Sequence, residues 1–406
     1  MEFGVFLNGY MPGPASRDTD AEHRMIEREM AYAVKADQCN WKYAWFGEHH
    51  SLTEYSHMSA PEVVMGYVAA GTNRIHLGTG ITSLSPRKEH PVRYAERAAM
   101  MDHVTRNRFE WGTGRGAGSH EIASFNIMDK NSTKAEWNEV VRQIPRMWAQ
   151  RDYMYEGTSF TVPYPHNILP KPYGKGHPPI WVACGNPGTF TQAGEMGIGA
   201  IAFNFEPVFG LKGRIAAYKE GVAACTDPIG EFKNDNVMLT NAVICLSDRD
   251  RARAAALRLY RGYLYSLVCL YHDTMPKPDY APTWPESIPP PADEEALDLL
   301  IAEGWLLCGG PEEVAEQVAR YGEVDCDQVV FGLPSDSLEH EEVLEMLEVF
   351  GTKVIPEFDK DEVHSTTRYR ATAVRKYPEF EQPVPDLQVS GLPVSATIQL
   401  DGTRKP

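Results

Sequence analysis

Four short segments carry side chains able to do chemistry. Phe46-Gly47-Glu48-His49-His50 sets a carboxylate beside two imidazoles, groups that donate, accept and shuttle protons near neutral pH. Neighbouring residues at a strand end point to opposite faces, so at most one histidine faces a pocket squarely. A metal would need further ligands from elsewhere, and no HExxH-like spacing is present; a capping role is the plainer alternative. Gly78-Thr79-Gly80-Ile81-Thr82-Ser83-Leu84-Ser85-Pro86 offers glycines that let a flat ligand approach the backbone, or simply make a turn. Gly112-Thr113-Gly114-Arg115-Gly116-Ala117-Gly118 leaves backbone N–H groups free around one planar cation, which suits an anion such as phosphate. A loop with no ligand is the other reading. Cys184-Gly185-Asn186-Pro187-Gly188-Thr189 runs into a helix and makes a second anion cradle, or a cap through Asn186 and Thr189. The third segment also looks like a degraded dinucleotide fingerprint, but Glu136, the acidic residue at a suitable distance, falls inside an expected helix.

These segments need elements to hold them. Short β-like runs alternate with helix-length stretches throughout: strands near 2–7, 43–47, 75–81, 108–111, 180–183, 200–203, 236–246 and 327–333. Helices are expected near 20–38, 59–71, 89–104, 133–150, 187–197, 207–225, 248–272, 311–321 and 337–350, with a small hairpin at 153–161 and a Pro-rich loop at 163–179. Eight strand–helix units predict an α/β fold, a (β/α)8 TIM barrel, with an open doubly wound sheet as the competitor. Residues 273–292 hold seven prolines and read as an insertion before the last strand. The barrel is expected over 1–356, and 357–406 as an extended C-terminal tail, flexible or laid on a partner subunit. All four chemical segments follow strands, which in a barrel is the functional end.

Composition narrows the partners. Lys plus Arg is 39 and Asp plus Glu 56, a net charge of −17, which argues against a nucleic-acid or anionic-membrane surface. No apolar run reaches the 18 or more residues of a membrane span. The start, MEFGVFLNGYMPG, lacks a basic stretch followed by an apolar core, so no signal peptide is expected. Seven scattered cysteines without a CxxC pair suit reduced, buried thiols in a cytoplasmic protein.

Taken in order, EFGVFLNGY, GEHH, LGTGITSLSPRKEHPVRYAERAAMMD, RFEWGTGRG, PPIWVACGNPGTFTQAGEMGIGAI and DQVVFGLP resemble the bacterial luciferase-like flavin-dependent monooxygenases over about residues 1–356. The resemblance implies a barrel that binds FMN, delivered reduced by a separate reductase, with coenzyme F420 in some branches. By motif position it implies His49 as the catalytic histidine and Gly80-Ile81 as a non-proline cis peptide under the flavin ring. Arg115 matches the phosphate-binding arginine, with Gly116 beside it, and the loop holding Gly185, Asn186, Gly188 and Thr189 matches the other half of the phosphate site. Two departures stand out. The family often has a serine where this chain has Gly185 and Asn186, and its usual Ser-Gly-Gly-Arg before the fourth strand is Thr105-Arg106-Asn107-Arg108 here.

The implied activity is monooxygenation of a small organic substrate by O2 through a C4a-(hydro)peroxyflavin, with no metal, in a homodimer or higher homo-oligomer. An F420-dependent oxidoreductase and a non-catalytic flavin-binding protein are the alternatives on the same fold. The substrate is not readable; Tyr10, Met58, Trp111 and the Tyr-rich stretch 260–280 could line an aromatic pocket or equally be core. The insertion 273–292 occupies the place of the family's mobile lid.

Overall fold

The computed structural model describes residues 1–11, 16–53, 55–116, 118–202, 207–258, 293–333 and 338–376. The insertion 273–292, the Tyr-rich stretch 260–280 and the tail beyond 376 lie outside them. Twelve strands are formed among the described residues: β1 Glu2–Leu7, β2 Tyr43–Phe46, β3 His76–Thr79, β4 Thr82–Ser83, β5 Phe109–Gly114, β6 Tyr153–Glu156, β7 Thr161–His166, β8 Ile180–Cys184, β9 Gly199–Ala202, β10 Val237–Cys245, β11 Leu306–Gly309 and β12 Gln328–Gly332. Eight of them close a parallel ring in the order β1-β2-β3-β5-β8-β9-β10-β12 and back to β1. This is the (β/α)8 barrel. Its crossovers carry helices such as Thr19–Gln38, capped by the Asp18 carboxylate, and Pro61–Gly71, Pro91–Thr105, Pro187–Met196 and Pro311–Ala319. The last four begin on proline, whose missing N–H is no loss at a first helical position.

The ring closes because large and small residues alternate inside it. Trp45 lies opposite Phe6 and Gly78, and Trp181 opposite Gly112 and Gly199. The two indoles meet edge to face across the barrel, with centroids 5.3 Å apart. A methyl group on Gly4 would come within 2.9 Å of Tyr43, and one on Gly114 within 2.8 Å of Ile81. The glycines of the Gly-rich strands thus make room for the aromatic core as well as serving the loops beyond them.

Three elements differ from the sequence reading. β10 is long enough to pair with a third strand beyond its two ring neighbours: with β9 through Val237–Leu239, with β12 through Met238–Ala242 and with β11 through Ala242–Cys245. β11 is therefore an extra parallel strand outside the ring, and with the helix Glu294–Glu303 it fills the crossover that had read as insertion and loop. Second, β7 runs through Pro163 and Pro165, because a two-stranded ribbon has a free edge that needs no N–H.

Third, the tail read as an extended arm from 357 is, through residue 376, the floor of the barrel. The helix Ser365–Ala371 lies across the N-terminal strand ends. The Glu2 carboxylate accepts from Lys42 Nζ (2.8 Å), the Tyr43 hydroxyl (2.7 Å) and the Ser365 N–H (2.9 Å). Lys42 also pairs with Asp359 at 3.0 Å. Arg370 grips the buried Asp102 carboxylate with two bonds of 2.8 and 2.7 Å. Glu110 accepts from Trp181 Nε1 (2.8 Å) and Thr366 Oγ1 (2.6 Å) and faces His76 Nδ1 at 2.8 Å. His76 stacks on His364 at 3.8 Å. Burial raises the Glu110 pKa to about 8 and lowers that of His76 to about 3, so the two form a neutral pair sharing a proton and not an ion pair.

Candidate active site

The opposite, C-terminal end of the ring gathers the four chemical segments. His49 lies beyond β2, where its N–H donates to Met58 O at 2.9 Å and its ring packs edge to face on Tyr55. His49 Nδ1 is 3.2 Å from Glu121 Oε1, and the same oxygen accepts the His50 N–H at 3.0 Å. Glu121 sits on the short helix Ser119–Ala123 that follows the Gly-rich loop after β5. A carboxylate here takes the Nδ1 proton in a hydrogen bond and fixes the ring, leaving the Nε2 lone pair free in the neutral imidazole. Among the described residues Nε2 has no partner.

The second histidine turns elsewhere. His50 Nε2 is 3.1 Å from Glu48 Oε1, which also pairs with Lys88. Burial would raise the Glu48 pKa, but the His50 hydrogen bond and the Lys88 charge together hold it below the ordinary carboxylate value. His50 is thus tied through Nε2 to the Glu48–Lys88 pair, whereas His49 is tied through Nδ1 to Glu121 and keeps Nε2 free.

The peptide bond Gly80–Ile81 is cis. A side chain at Gly80 would come within 2.5 Å of the Phe6 ring. Ile81 joins a buried cluster with Phe6, Tyr10, Leu52 and Tyr55 that makes the floor of the mouth apolar.

Arg115 and Gly116 follow β5, with Gly116 at φ +90°, a backbone that favours glycine. The Arg115 guanidinium is half-buried, and burial alone lowers its pKa. Among the described residues it has neither ion pair nor hydrogen bond. It lines a small cavity with His50, Ser83, Ser85, Lys88 and Glu121. Gly185, Asn186, Gly188 and Thr189 follow the adjacent strand, β8, but do not line that cavity. Asn186 is the N-cap of Pro187–Met196, its Oδ1 accepting the Thr189 N–H at 3.2 Å, and the space above Gly185 is open. Arg115 is thus gathered with Ser83, Ser85 and Lys88, while the β8 loop stands beside them as a separate exposed cradle. Among the described residues no group of three or more His, Cys, Asp or Glu is placed to hold a metal ion, and no helix is long and apolar enough to cross a membrane.

The residues present fit a flavin phosphate and ring: an unpaired cation, the Ser83 hydroxyl, an open glycine cradle and an apolar floor. Sequence reading missed two members of the site. Glu121 lies 72 residues from His49, and its one signal was its place just after the Gly-rich loop. Asn8 was legible only as one letter of the EFGVFLNGY segment, just past the first strand.

The alkanal monooxygenase alpha chain of Photorhabdus luminescens is 26% identical over 227 residues, 54% of this chain and 58% of that one. The chain thus spans little more than half the length of that relative. Among solved structures, the oxygenating constituent of 3,6-diketocamphane monooxygenase from Pseudomonas putida, in complex with FMN, superposes with a TM-score of 0.69 at 19% identity, over 88% of this chain and 98% of that one. The coenzyme F420 dependent tetrahydromethanopterin reductase of Methanopyrus kandleri does so with a TM-score of 0.59 at 17% identity, over 88% and 99%. At these identities the structures speak for the fold alone. The luciferase-like monooxygenase family model matches residues 1–328, which takes in every segment of the mouth, and the chain belongs to that family.

Proposed function

We propose that the protein is a flavin-dependent monooxygenase that uses reduced FMN and O2 to oxygenate a small organic substrate, with the reduced flavin supplied by a separate reductase. The observation that carries this reading is the half-buried Arg115 guanidinium, without an anionic partner among the described residues, beside the His49–Glu121 pair. A half-buried cation left unpaired suits an anion from outside. Arg115, the Gly116 N–H and the Ser83 hydroxyl would hold the phosphate, with Gly185, Asn186, Gly188 and Thr189 as its second cradle. Gly80 and Ile81 would lie against the ring.

When bound, reduced FMN supplies the two electrons with which one atom of O2 enters the substrate and the other leaves as water. The chain's own part is to bind, to dry the site and to handle a proton. Phe6, Leu52, Tyr55 and Ile81 exclude water from the mouth. His49 holds or moves a proton at Nε2, and Glu121 keeps its ring in place.

A second reading, an F420-dependent oxidoreductase, draws on the fold shared with the Methanopyrus reductase and on Lys88 beside Arg115. Rapid mixing of the protein and reduced FMN with oxygenated buffer tests the choice. Tight binding of reduced FMN, followed by flavin oxidation much slower than in free solution, is expected. Oxidation at the free rate without binding would overturn the FMN reading, and a titration with F420 would then test the second.

A further inference from the structure

Asn8 follows β1 and continues the inward side of that strand after Glu2, Gly4 and Phe6. It is 3% exposed. Both atoms of its side-chain amide, Oδ1 and Nδ2, are buried with no hydrogen-bond partner among the described residues. The backbone around it is well tied: its C=O accepts from Ser56 Oγ at 2.5 Å, and the next N–H, of Gly9, donates to Glu29. The amide is therefore held in place and still unpaired. It rests on the bare Cα of Gly47, where a methyl group would strike the amide oxygen and come within 3.5 Å of His49 Cδ2. Phe6, two residues before Asn8 on the same side of the chain, belongs to the apolar cluster with Tyr10, Leu52, Tyr55 and Ile81.

A leucine of nearly the same size would suit such a place better in the empty protein, because an amide stripped of water and given no partner loses its hydrogen bonds outright. Native proteins keep few such groups, and each calls for an explanation. Resting on the proposed flavin site, we propose that Asn8 is a ligand-reading residue of the barrel mouth, pairing with an imide or lactam edge. Nδ2 gives a hydrogen bond to a carbonyl of that edge, and Oδ1 takes one from the N–H beside it. Two molecules could bring this chemistry: the pyrimidine edge of the flavin ring, or a substrate that carries an amide.

Gln328 provides a control. Its amide is equally buried and equally unpartnered, but it lies at the start of β12, opposite Glu2 and at the floored end. The experiment compares wild type, Asn8→Leu, Asn8→Ser and Gln328→Leu. It measures the melting temperature of the flavin-free protein, the Kd for FMN and for 3-methyl-FMN, whose N3–H is blocked, and the Kd of 2-pyridone for the FMN-loaded protein. Asn8→Leu is expected to melt higher than wild type without flavin and yet bind one ligand at least about tenfold more weakly. Asn8→Ser, which has room in the same space, should show the same loss of binding should the leucine variant not fold. Gln328→Leu should leave every Kd unchanged. Weaker FMN binding, with wild type and variant alike toward 3-methyl-FMN, identifies the flavin edge. Unchanged FMN but weaker 2-pyridone identifies the substrate edge. Unchanged binding of both ligands by the Asn8 variants overturns the inference, whereas a wild type that binds no FMN overturns the flavin reading itself.

Discussion

The two ends of the barrel treat buried polar groups in opposite ways. At the floor, Glu2, Lys42, Asp102, Glu110, His76 and Arg370 are buried, and each has partners of the right kind within hydrogen-bond reach. At the mouth, Arg115, the Asn8 amide and the free nitrogen of His49 have none among the described residues. Satisfied burial makes a rigid, well-specified plug. Unsatisfied burial raises the free energy of the empty protein and is relieved when something binds. The contrast is not perfect, since Gln328 is unpaired at the closed end. Mutations at the floor should therefore change stability alone, and mutations at the mouth binding or turnover.

The largest expected effect tests the floor. Arg370→Ala would leave the Asp102 carboxylate buried without its cation, which typically costs about 3–5 kcal/mol. Urea or thermal unfolding should show that loss, with flavin affinity unchanged in the protein that remains folded. The matching break at the mouth is His49→Ala. It should fold and bind FMN nearly as wild type does, while turnover falls by about a hundredfold or more. Steady-state assay beside a flavin titration reads the two apart. Loss of folding in the His49 variant, or loss of turnover in the Arg370 variant at full occupancy of flavin, would erase the comparison.

The neutral Glu110–His76 pair makes the floor sensitive to pH in a direction that can be worked out. The Glu110 pKa rises from 4.5 to about 8, because burial outweighs the hydrogen bonds from Thr366 and Trp181. The folded state therefore holds a proton that the unfolded chain has lost. This contribution is fully present below about pH 4.5 and is lost as pH rises through about 8. His76 works the other way. Burial lowers it from 6.5 to about 3, so its contribution is lost as pH falls below 6.5. Glu110→Gln keeps a neutral acceptor for Trp181 and a donor for His76. Relative to wild type it should gain stability by at most about 1.4 kcal/mol per pH unit between pH 5 and 8. Chemical denaturation at several pH values measures the slope, and parallel curves for the two proteins would contradict the neutral pair.

How much of this was legible in the sequence follows the same division. The ring of strands was readable because each strand is a local run set off by a helix, and alternation needs no distant partner. β11 was missed because four apolar residues, Leu306–Gly309, look the same as a helix end. The floor was unreadable for a physical reason: Glu110 meets Thr366 across 256 residues and Asp102 meets Arg370 across 268, and nothing local announces such pairs. At the mouth, His49 and Arg115 stood out because they lie in unusual strings of glycine and histidine. Asn8 did not, since an asparagine at a strand end is an ordinary turn residue until its amide is found buried and alone.

The smallest expected effect lies in the turn before β5, at the closed end. Where the family usually has two glycines, this chain has Arg106 and Asn107, and both take left-handed backbone, with φ 57° and 68°. Arg106 caps Pro91–Thr105, its N–H reaching Asp102 O and His103 O, so the conformation is imposed by the helix end. A side chain there crowds its own carbonyl, and asparagine tolerates the strain better than arginine does. Glycine at 106 removes the crowding but gives the unfolded chain more freedom, and the two effects largely offset. Arg106→Gly should therefore raise stability by only about 0.5–1 kcal/mol, and Asn107→Gly by less. Because the turn touches the floor and not the mouth, neither change should alter flavin affinity. A gain from Arg106→Gly that came with altered FMN binding would mean that the two ends communicate through β5, and the division drawn between them would have to be replaced by a coupling along that strand.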